Sequence, residues 1–167
     1  MVQRGKKGEA MTVEVTITGV SACECPSHAR VVLRDDAGGR NLQVRIHADA
    51  GQAMLAEMAG LASTRSAMVD LLGDVLGRGG VRLDRLTLCC SQGRLCAKLL
   101  LFGPDAASEV AVEPCEALLA AYRLRLPVFV EEEARREGMP GGGVPPVYRE
   151  LMESLDLSGL GCEGERG

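Results

Sequence analysis

Apolar and polar residues alternate along two early stretches of the chain, residues 12–19 and 41–47. Alternation with a period of two places successive side chains on opposite faces of a sheet, so each of these stretches predicts a half-buried strand. Residues 30–34, R-V-V-L-R, are predicted as a second strand between them. Residues 36–39, D-A-G-G, are a turn signal between the second strand and the third. This part of the chain therefore predicts an antiparallel meander.

The spacing of apolar residues changes to that of a helix over residues 49–61 and again over residues 66–76. Asp49 is the predicted N-cap of the first helix, because its short carboxylate can accept a backbone N–H bond there. The second helix carries an apolar face, and three glycines follow that face and predict the end of the helix. The apolar face consists of Met68, Val69, Leu71, Leu72, Val75 and Leu76, and the glycines are Gly77, Gly79 and Gly80.

A hairpin is predicted next, from residues 81–88 and 95–102 about the turn Gln92-Gly93. If these two residues alone form the turn, Cys89 pairs with Cys96 across the hairpin. A disulfide there is conceivable under oxidation. A buried apolar thiol is the favoured interpretation for a protein of the cytoplasm.

The pattern of residues 110–130 is strand, helix and strand. Glu113 occupies the predicted N-cap of this helix, Pro114 its first position, and Pro127 stops it before the next strand. Glu113, Cys115 and Glu116 surround the free N–H groups of the helix start, which makes this the most promising place for a site. Strands and helices come in blocks, so the predicted class is α+β, a mainly antiparallel sheet with helices packed on it.

The predicted organisation is one folded domain with tails. A Gly/Pro-rich linker follows the domain, and an apolar stripe of Tyr148, Leu151, Met152 and Leu155 then predicts a short amphipathic helix. Translation could begin at Met1 or at Met11. The predicted segments are a disordered tail at 1–11, the domain at 12–137, the linker at 138–147, the helix at 148–160 and a second disordered tail at 161–167.

Composition argues against two classes of partner, nucleic acid and membranes. The formal net charge is −4 and aromatic residues are 2% of the 167 residues. A protein that grips nucleic acid usually carries a basic patch or aromatic stacking platforms, so composition argues against tight, general nucleic-acid binding. No apolar run approaches the length of a membrane span, and no secretory signal is present at the N-terminus. We therefore predict a cytoplasmic protein that does not enter a membrane.

Several acidic residues lie near the predicted helix starts, namely Asp49, Asp70, Glu113 and Glu116. Carboxylates of this kind can hold Mg²⁺ or Mn²⁺, the cations that clamp a phosphodiester during hydrolysis. Helix capping and solvated helix faces are the simpler interpretation of the same residues. The residues alone favour that simpler interpretation.

The seven cysteines offer two candidate sites. Cys23, Cys25 and His28 have a metal-like spacing but do not complete a four-ligand zinc site, and a turn with partly buried thiols is favoured. Cys115 lies in the first helical turn, where the dipole lowers a thiol pKa. The neighbouring Glu113 and Glu116 oppose a thiolate, and the sequence places neither histidine close to Cys115.

Three segments together resemble the bifunctional nuclease domain family. Residues 42–54, LQVRIHADAGQAM, are similar to a pattern L-P-I-x-I-G-x-x-E-A, and residues 64–72, TRSAMVDLL, to P-R-P-x-T-H-D-L-L. Residues 113–121, EPCEALLAA, followed by 127–130, PVFV, are similar to R-P-S-D-A-I-x-L-A followed by P-I-x-V. The resemblance covers about residues 12–135 and implies an α+β fold that self-associates, and nuclease activity on RNA and DNA.

The resemblance also implies site residues. Arg65 and Asp70 match the family's Arg and Asp, and Glu116 replaces an Asp with the carboxylate kept. At other polar positions the chain differs from the family patterns, which suggests that the fold is conserved while the chemistry is altered. The family's Glu is Ala50 here, with Asp49 beside it, its His is Val69, its signature Arg is Glu113 and its Ser is Cys115.

Two hypotheses from different classes follow. In the first, the protein is a metal-dependent nuclease in which Asp70 and Glu116 hold Mg²⁺ or Mn²⁺ and Arg65 positions phosphate. In the second, it is a non-catalytic relative, a self-associating protein, expected as a dimer, that binds a partner or ligand around Glu113, Cys115 and Asp49. A thiol sensor using Cys115 or the hairpin cysteines is a third, weaker interpretation.

Overall fold

The computed structural model describes residues 11–35, 37, 39–61 and 63–136. These residues form one sheet with helices packed on it. The predicted linker and C-terminal helix at 138–160 lie outside the described residues. The elements in chain order are β1 Thr12–Ala22, β2 His28–Asp35, β3 Arg40–His47, α1 Ala48–Met58, α2 Thr64–Arg78, β4 Arg82–Ser91, β5 Arg94–Phe102, β6 Ala107–Val112, α3 Pro114–Leu124, β7 Val128–Glu131 and α4 Glu132–Arg136.

The described strands make a seven-stranded sheet in the order β3-β2-β1-β7-β4-β5-β6. The predicted meander β1-β2-β3 is confirmed, and β4-β5-β6 is a second antiparallel group. The short β7 joins the two groups, antiparallel to β1 and parallel to β4. The α+β prediction with a mainly antiparallel sheet is therefore confirmed.

One face of the sheet forms the core because its apolar residues alternate in register. Val31 of β2 pairs with Val44 of β3, and Leu33 pairs with Leu42, all of them buried. α1 and α3 cover this face. α3 contributes Leu118 and Leu119, which are fully buried. Burying side chains of this size gives about 2 kcal/mol each, so this layer is the main source of stability.

A glycine lets α1 lie close to the sheet. A Cβ built on Gly51 would lie 2.5 Å from the Cβ of Ala29 on β2. Any larger residue at this position would push the helix away from the sheet. The close approach fixes the start of α1, where Asp49 lies, relative to β2.

The structure corrects three predicted helix boundaries, namely the start of α1 and both ends of α2. The N-cap of α1 is His47, and Asp49 lies in the first turn with its Oδ1 accepting a bond from the Ala50 N–H at 2.8 Å. α2 begins earlier than predicted because the Ser63 hydroxyl accepts the Ser66 N–H and caps it. α2 also passes through Gly77 and ends at the C-cap Gly79.

The predictions for the hairpin and for α3 are confirmed. Gln92 and Gly93 both have positive φ, 53° and 70°, as a tight two-residue turn requires, and Cys89 pairs with Cys96. Glu113 is the N-cap of α3 and Pro114 its first residue. α3 ends before Pro127, at a left-handed C-cap formed by Arg125.

α2 differs from the other long helices in what it buries. α3 buries six residues, whereas the only fully buried residue of α2 is Ser66. The predicted apolar face of α2 is largely open within the described part of the chain. Its exposed side chains are Met68 at 60%, Leu71 at 55%, Leu72 at 47% and Val75 at 58%. Among the described residues no helix combines the length and apolarity needed to cross a membrane.

Candidate functional site

Three predicted site residues meet at the starts of three helices. Arg65 near the start of α2 contacts Asp49 of α1 at 2.7 Å through Nη2 and Glu116 of α3 at 3.0 Å through Nη1. We call this group the outer triad. All three side chains are at least one-third exposed, so solvent screens the two ion pairs. Arg65 is therefore already engaged with two carboxylates rather than free for an anion.

Another predicted site residue, Asp70, belongs to a separate group. Its carboxylate accepts two bonds from Arg123 of α3, at 2.9 Å from Nε and 2.7 Å from Nη2. Arg123 also donates from Nη1 to Glu57 of α1 at 2.6 Å. We call Glu57, Asp70 and Arg123 the inner triad, because the Glu57 side chain is only 8% exposed.

Hydrogen bonds hold the inner triad ionised. The Ser66 hydroxyl donates to Glu57 Oε2 at 2.6 Å and, together with Arg123, lowers the pKa of Glu57. Arg123 likewise lowers the pKa of Asp70 through its paired N–H groups, and the two carboxylates raise the pKa of Arg123 further. A bidentate arginine fixes geometry as well as charge. The inner triad is a rigid, fully ionised cluster at neutral pH.

Each triad takes one residue from each of α1, α2 and α3. The arginine comes from α2 in the outer triad and from α3 in the inner triad. This arrangement ties α2, which buries little apolar surface, to the two helices that do pack on the sheet. The triads therefore have a structural role that accounts for Arg65, Asp70 and Glu116 without any chemistry.

The arrangement does not fit a metal held by Asp70 and Glu116. The two carboxylates belong to different triads and each is the acceptor of a different arginine. Within the described ranges no three His, Cys, Asp or Glu side chains form a group that could hold a metal ion. Metal binding by this pair stays a prediction, and it would require both carboxylates to exchange an arginine for the cation.

A cleft lies between α2 and α3 and extends over β5 and β6. Its volume is about 520 Å³, and its wall is mostly apolar, with Val69 in the wall and Arg65 and Glu116 contributing charge. Cavities of this size and composition accept apolar groups of a ligand or protein. We call it the α2–α3 cleft. Its walls also include Met68, Leu72, Leu99 and Val112.

A smaller polar cavity of about 60 Å³ lies beside the start of α3. His28, His47, Glu113 and Cys115 line it, so the structure brings both histidines near Cys115, which the sequence could not do. Burial raises the pKa of Cys115, and the carboxylates of Glu113 and Glu116 raise it further. The helix start therefore does not produce a thiolate at Cys115. Asp49 lies apart from this cavity, in the outer triad.

The buried thiol predicted at Cys89 is present, and burial raises its pKa. Cys96 opposite it is half-buried, and both are free thiols. Neither Cys89 nor Cys115 has the exposed, acidic character that a reactive cysteine needs. The interpretation of these cysteines as a sensor receives no support from their surroundings.

Two residues of the inner triad escaped prediction from the sequence, Glu57 and Arg123. A signal existed, because Arg123 lies seven residues after Glu116, two helical turns on, and so shares its helix face. Glu57 lies eight residues after Asp49, close to the same relation on α1. These spacings show that each pair of residues lies on one face of its helix. They do not show which neighbouring helix that face contacts.

Comparison with known families finds one match, described as the bifunctional nuclease domain, over residues 31–138. The matched region is more than half of the chain and contains every residue of the two triads. A comparison with curated protein sequences finds no significant match.

Proposed function

The chain belongs to the bifunctional nuclease domain family, and within that family we propose that it is a non-cleaving, self-associating protein. Its partner is a second copy of the same chain. The binding surface consists of the exposed apolar face of α2, the α2–α3 cleft beside it and the free edge of β6. The observation that carries the proposal is that Arg65, Asp70 and Glu116 are all engaged in the two triads.

The engaged carboxylates support the loss of cleavage. A metal-dependent nuclease needs carboxylate oxygens directed at the cation and a cationic group directed at the phosphate. Here Arg65 contacts Asp49 and Glu116, and Arg123 contacts Asp70 and Glu57. Phosphodiester binding would compete with these internal ion pairs.

The residues around the cleft also support this proposal. Val69 lines the cleft with an apolar side chain, and Ala50 is buried in α1 without any polar group. Glu113 places a carboxylate at the start of α3, which repels a phosphate. A wall of this composition suits apolar side chains better than a polyanion.

The exposed surface supports self-association. Met68, Leu71, Leu72 and Val75 expose between 47% and 60% of their surface along one helix. β6 ends the sheet order, so one of its edges carries backbone N–H and C=O groups without a neighbouring strand in the described part of the chain. A contiguous apolar surface next to an open strand edge is typical of a protein interface. Val110 of β6, 45% exposed, continues the apolar surface toward that edge.

Sedimentation velocity on the full chain tests the proposal over a wide range of protein concentration. We expect a dimer that dissociates on dilution. A parent protein that sediments as a monomer at every concentration would contradict self-association.

Metal-dependent hydrolysis of DNA or RNA is the second candidate, and membership of the family supports it. The test is an assay on single-stranded and double-stranded DNA and RNA, with and without Mg²⁺ or Mn²⁺. We expect no cleavage by the folded parent. Metal-dependent cleavage that disappears in both Asp70→Asn and Glu116→Gln would instead establish a nuclease in which the two carboxylates leave their arginines. Circular dichroism of each variant checks that it is folded.

A further inference from the structure

The turn between β1 and β2 holds a hydrogen-bonded chain of three side chains. The Cys25 Sγ lies 2.8 Å from the Ser27 Oγ, and that oxygen lies 2.9 Å from the His28 Nδ1. A backbone bond from the His28 N–H to the Cys25 C=O, at 3.1 Å, closes the turn and fixes this arrangement. No part of the proposed function uses these residues.

In the tautomer of His28 whose Nδ1 carries no proton, Nδ1 is the final acceptor, and the three side chains can pass a proton from Cys25 toward the ring. Ser27 then donates its hydroxyl proton to the ring, and its oxygen accepts the thiol proton of Cys25. This order prepares the sulfur to lose its proton. The Ser27 hydroxyl and then His28 lower the pKa of Cys25 from 9.0 to about 7.

Cys25 differs in access as well from the buried thiols in the described part of the chain. It is exposed, whereas Cys89 and Cys115 are buried and their pKa values are raised. Reactive cysteines are accessible and have a proton acceptor nearby, and Cys25 meets both conditions. Cys23 lies two residues earlier in the same turn and is half-buried.

Several groups face His28. The His47 ring of β3 stacks on the His28 ring with centroids 5.6 Å apart. The cavity beside His28 also contains two arginines and a carboxylate. These are Arg45 of β3, Arg94 of β5 and Glu113 at the start of α3.

We propose that Cys25 is a thiol modification site that forms a mixed disulfide with small-molecule disulfides, and that Ser27 and His28 accept its proton. The hydrogen-bonded chain and the exposure of the sulfur carry this proposal. It is independent of self-association and of cleavage.

The exchange reaction needs only Cys25, Ser27, His28 and the incoming disulfide. The Cys25 proton passes to Ser27 as the Ser27 proton passes to Nδ1 of His28, which becomes an imidazolium. The thiolate attacks one sulfur of the disulfide, a new S–S bond forms at Cys25 and the old S–S bond breaks. The released thiolate takes the proton from the imidazolium through solvent and leaves as a thiol, so the sulfur of Cys25 is oxidised and the small-molecule disulfide is reduced.

The expected advantage in rate is moderate. At pH 7 about half of Cys25 is thiolate, against about 1% of a thiol with the ordinary pKa of 9.0. The more acidic thiolate is a weaker nucleophile, by roughly a factor of eight for two pKa units. The net gain over an exposed, unassisted cysteine is therefore about fivefold.

The experiment exposes the full chain to oxidised glutathione at pH 7 and follows adducts at each cysteine by peptide mass spectrometry. We expect Cys25 to react about fivefold faster than Cys23 or Cys96. Ser27→Ala should remove this advantage and move the midpoint of the rate against pH upward. His28→Phe, which keeps a ring without a nitrogen, should do the same, while Ser91→Ala on the exposed end of β4 serves as the matched control.

Two results would overturn the proposal. One is a uniform rate across the accessible cysteines. The other is a Cys25 rate that stays the same in Ser27→Ala and in His28→Phe. Thermal unfolding of each variant separates these outcomes from misfolding.

Discussion

Asp70 and Arg123 are 53 residues apart in the chain and are joined by two parallel hydrogen bonds, from Nε at 2.9 Å and Nη2 at 2.7 Å. This pair links α2 to α3, and the contact of Arg123 with Glu57 extends the link to α1. Asp70, which the sequence analysis predicts as a site residue, is thereby part of the framework that positions three helices. Substitution of Asp70 should therefore change the stability of the protein, and a loss of activity on its own would not show that Asp70 is catalytic.

The inner triad should be sensitive to loss of a single charge. Glu57→Gln keeps an acceptor for Ser66 but removes the carboxylate that Arg123 contacts at 2.6 Å. We expect the free energy of unfolding to fall by about 1 to 3 kcal/mol, as for other hydrogen bonds to charged groups. Chemical denaturation measures the change. Glu133→Gln at an exposed position of α4 is the matched control, and an equal loss there would contradict a specific role of the triad.

Acid should weaken the same cluster. The pKa values of Glu57 and Asp70 are lower in the folded protein than their ordinary values of 4.5 and 3.8. A lowered pKa adds stability at neutral pH that is lost as the pH falls from the ordinary values through the folded ones. We expect the free energy of unfolding to decline below about pH 4.5. Urea denaturation at several pH values should show a shallower decline in Glu57→Gln/Asp70→Asn, and an unchanged decline would count against the triad.

Two helical glycines should respond in opposite directions to alanine. The Cβ of Gly51→Ala would lie 2.5 Å from the Cβ of Ala29, so α1 must move and stability should fall by about 1 to 3 kcal/mol. Gly77 has open space around it, so Gly77→Ala in α2 should stabilise the protein by about 0.5 to 1 kcal/mol. Thermal unfolding of both variants gives the signs. A stabilising Gly51→Ala would show that the close approach of α1 to β2 is dispensable.

The exposed face of α2 should carry self-association. Leu71→Glu places a charge on this face, where burying it in an interface is costly, and should weaken dimerisation by about tenfold or more. Leu55→Glu on α1 is the matched control, since Leu55 is 48% exposed and lies on another helix. Sedimentation velocity compares the two. If both variants weaken the dimer equally, or if neither weakens it, the interface lies elsewhere.

Local chemistry let the sequence predict a large part of the fold. Gln92 and Gly93 specify a tight turn, and that turn sets the register that pairs Cys89 with Cys96. Glu113 and Pro114 mark the start of α3 because proline tolerates only that part of a helix. The end of α2 differs from the prediction because Gly77, with open space around it, is tolerated within the helix, and Gly79 is the C-cap.

The sequence by itself determined the periods of the strands and helices, the turn at Gln92-Gly93 and the polar positions at which this chain departs from its family. Only the tertiary structure decided what those positions contact. It joined Asp70 to Arg123, left Leu71 exposed and stacked the ring of His28 on that of His47. Periodicity records which face of an element a side chain occupies, whereas a contact depends on how distant elements pack, because packing energy is shared among residues far apart in the chain.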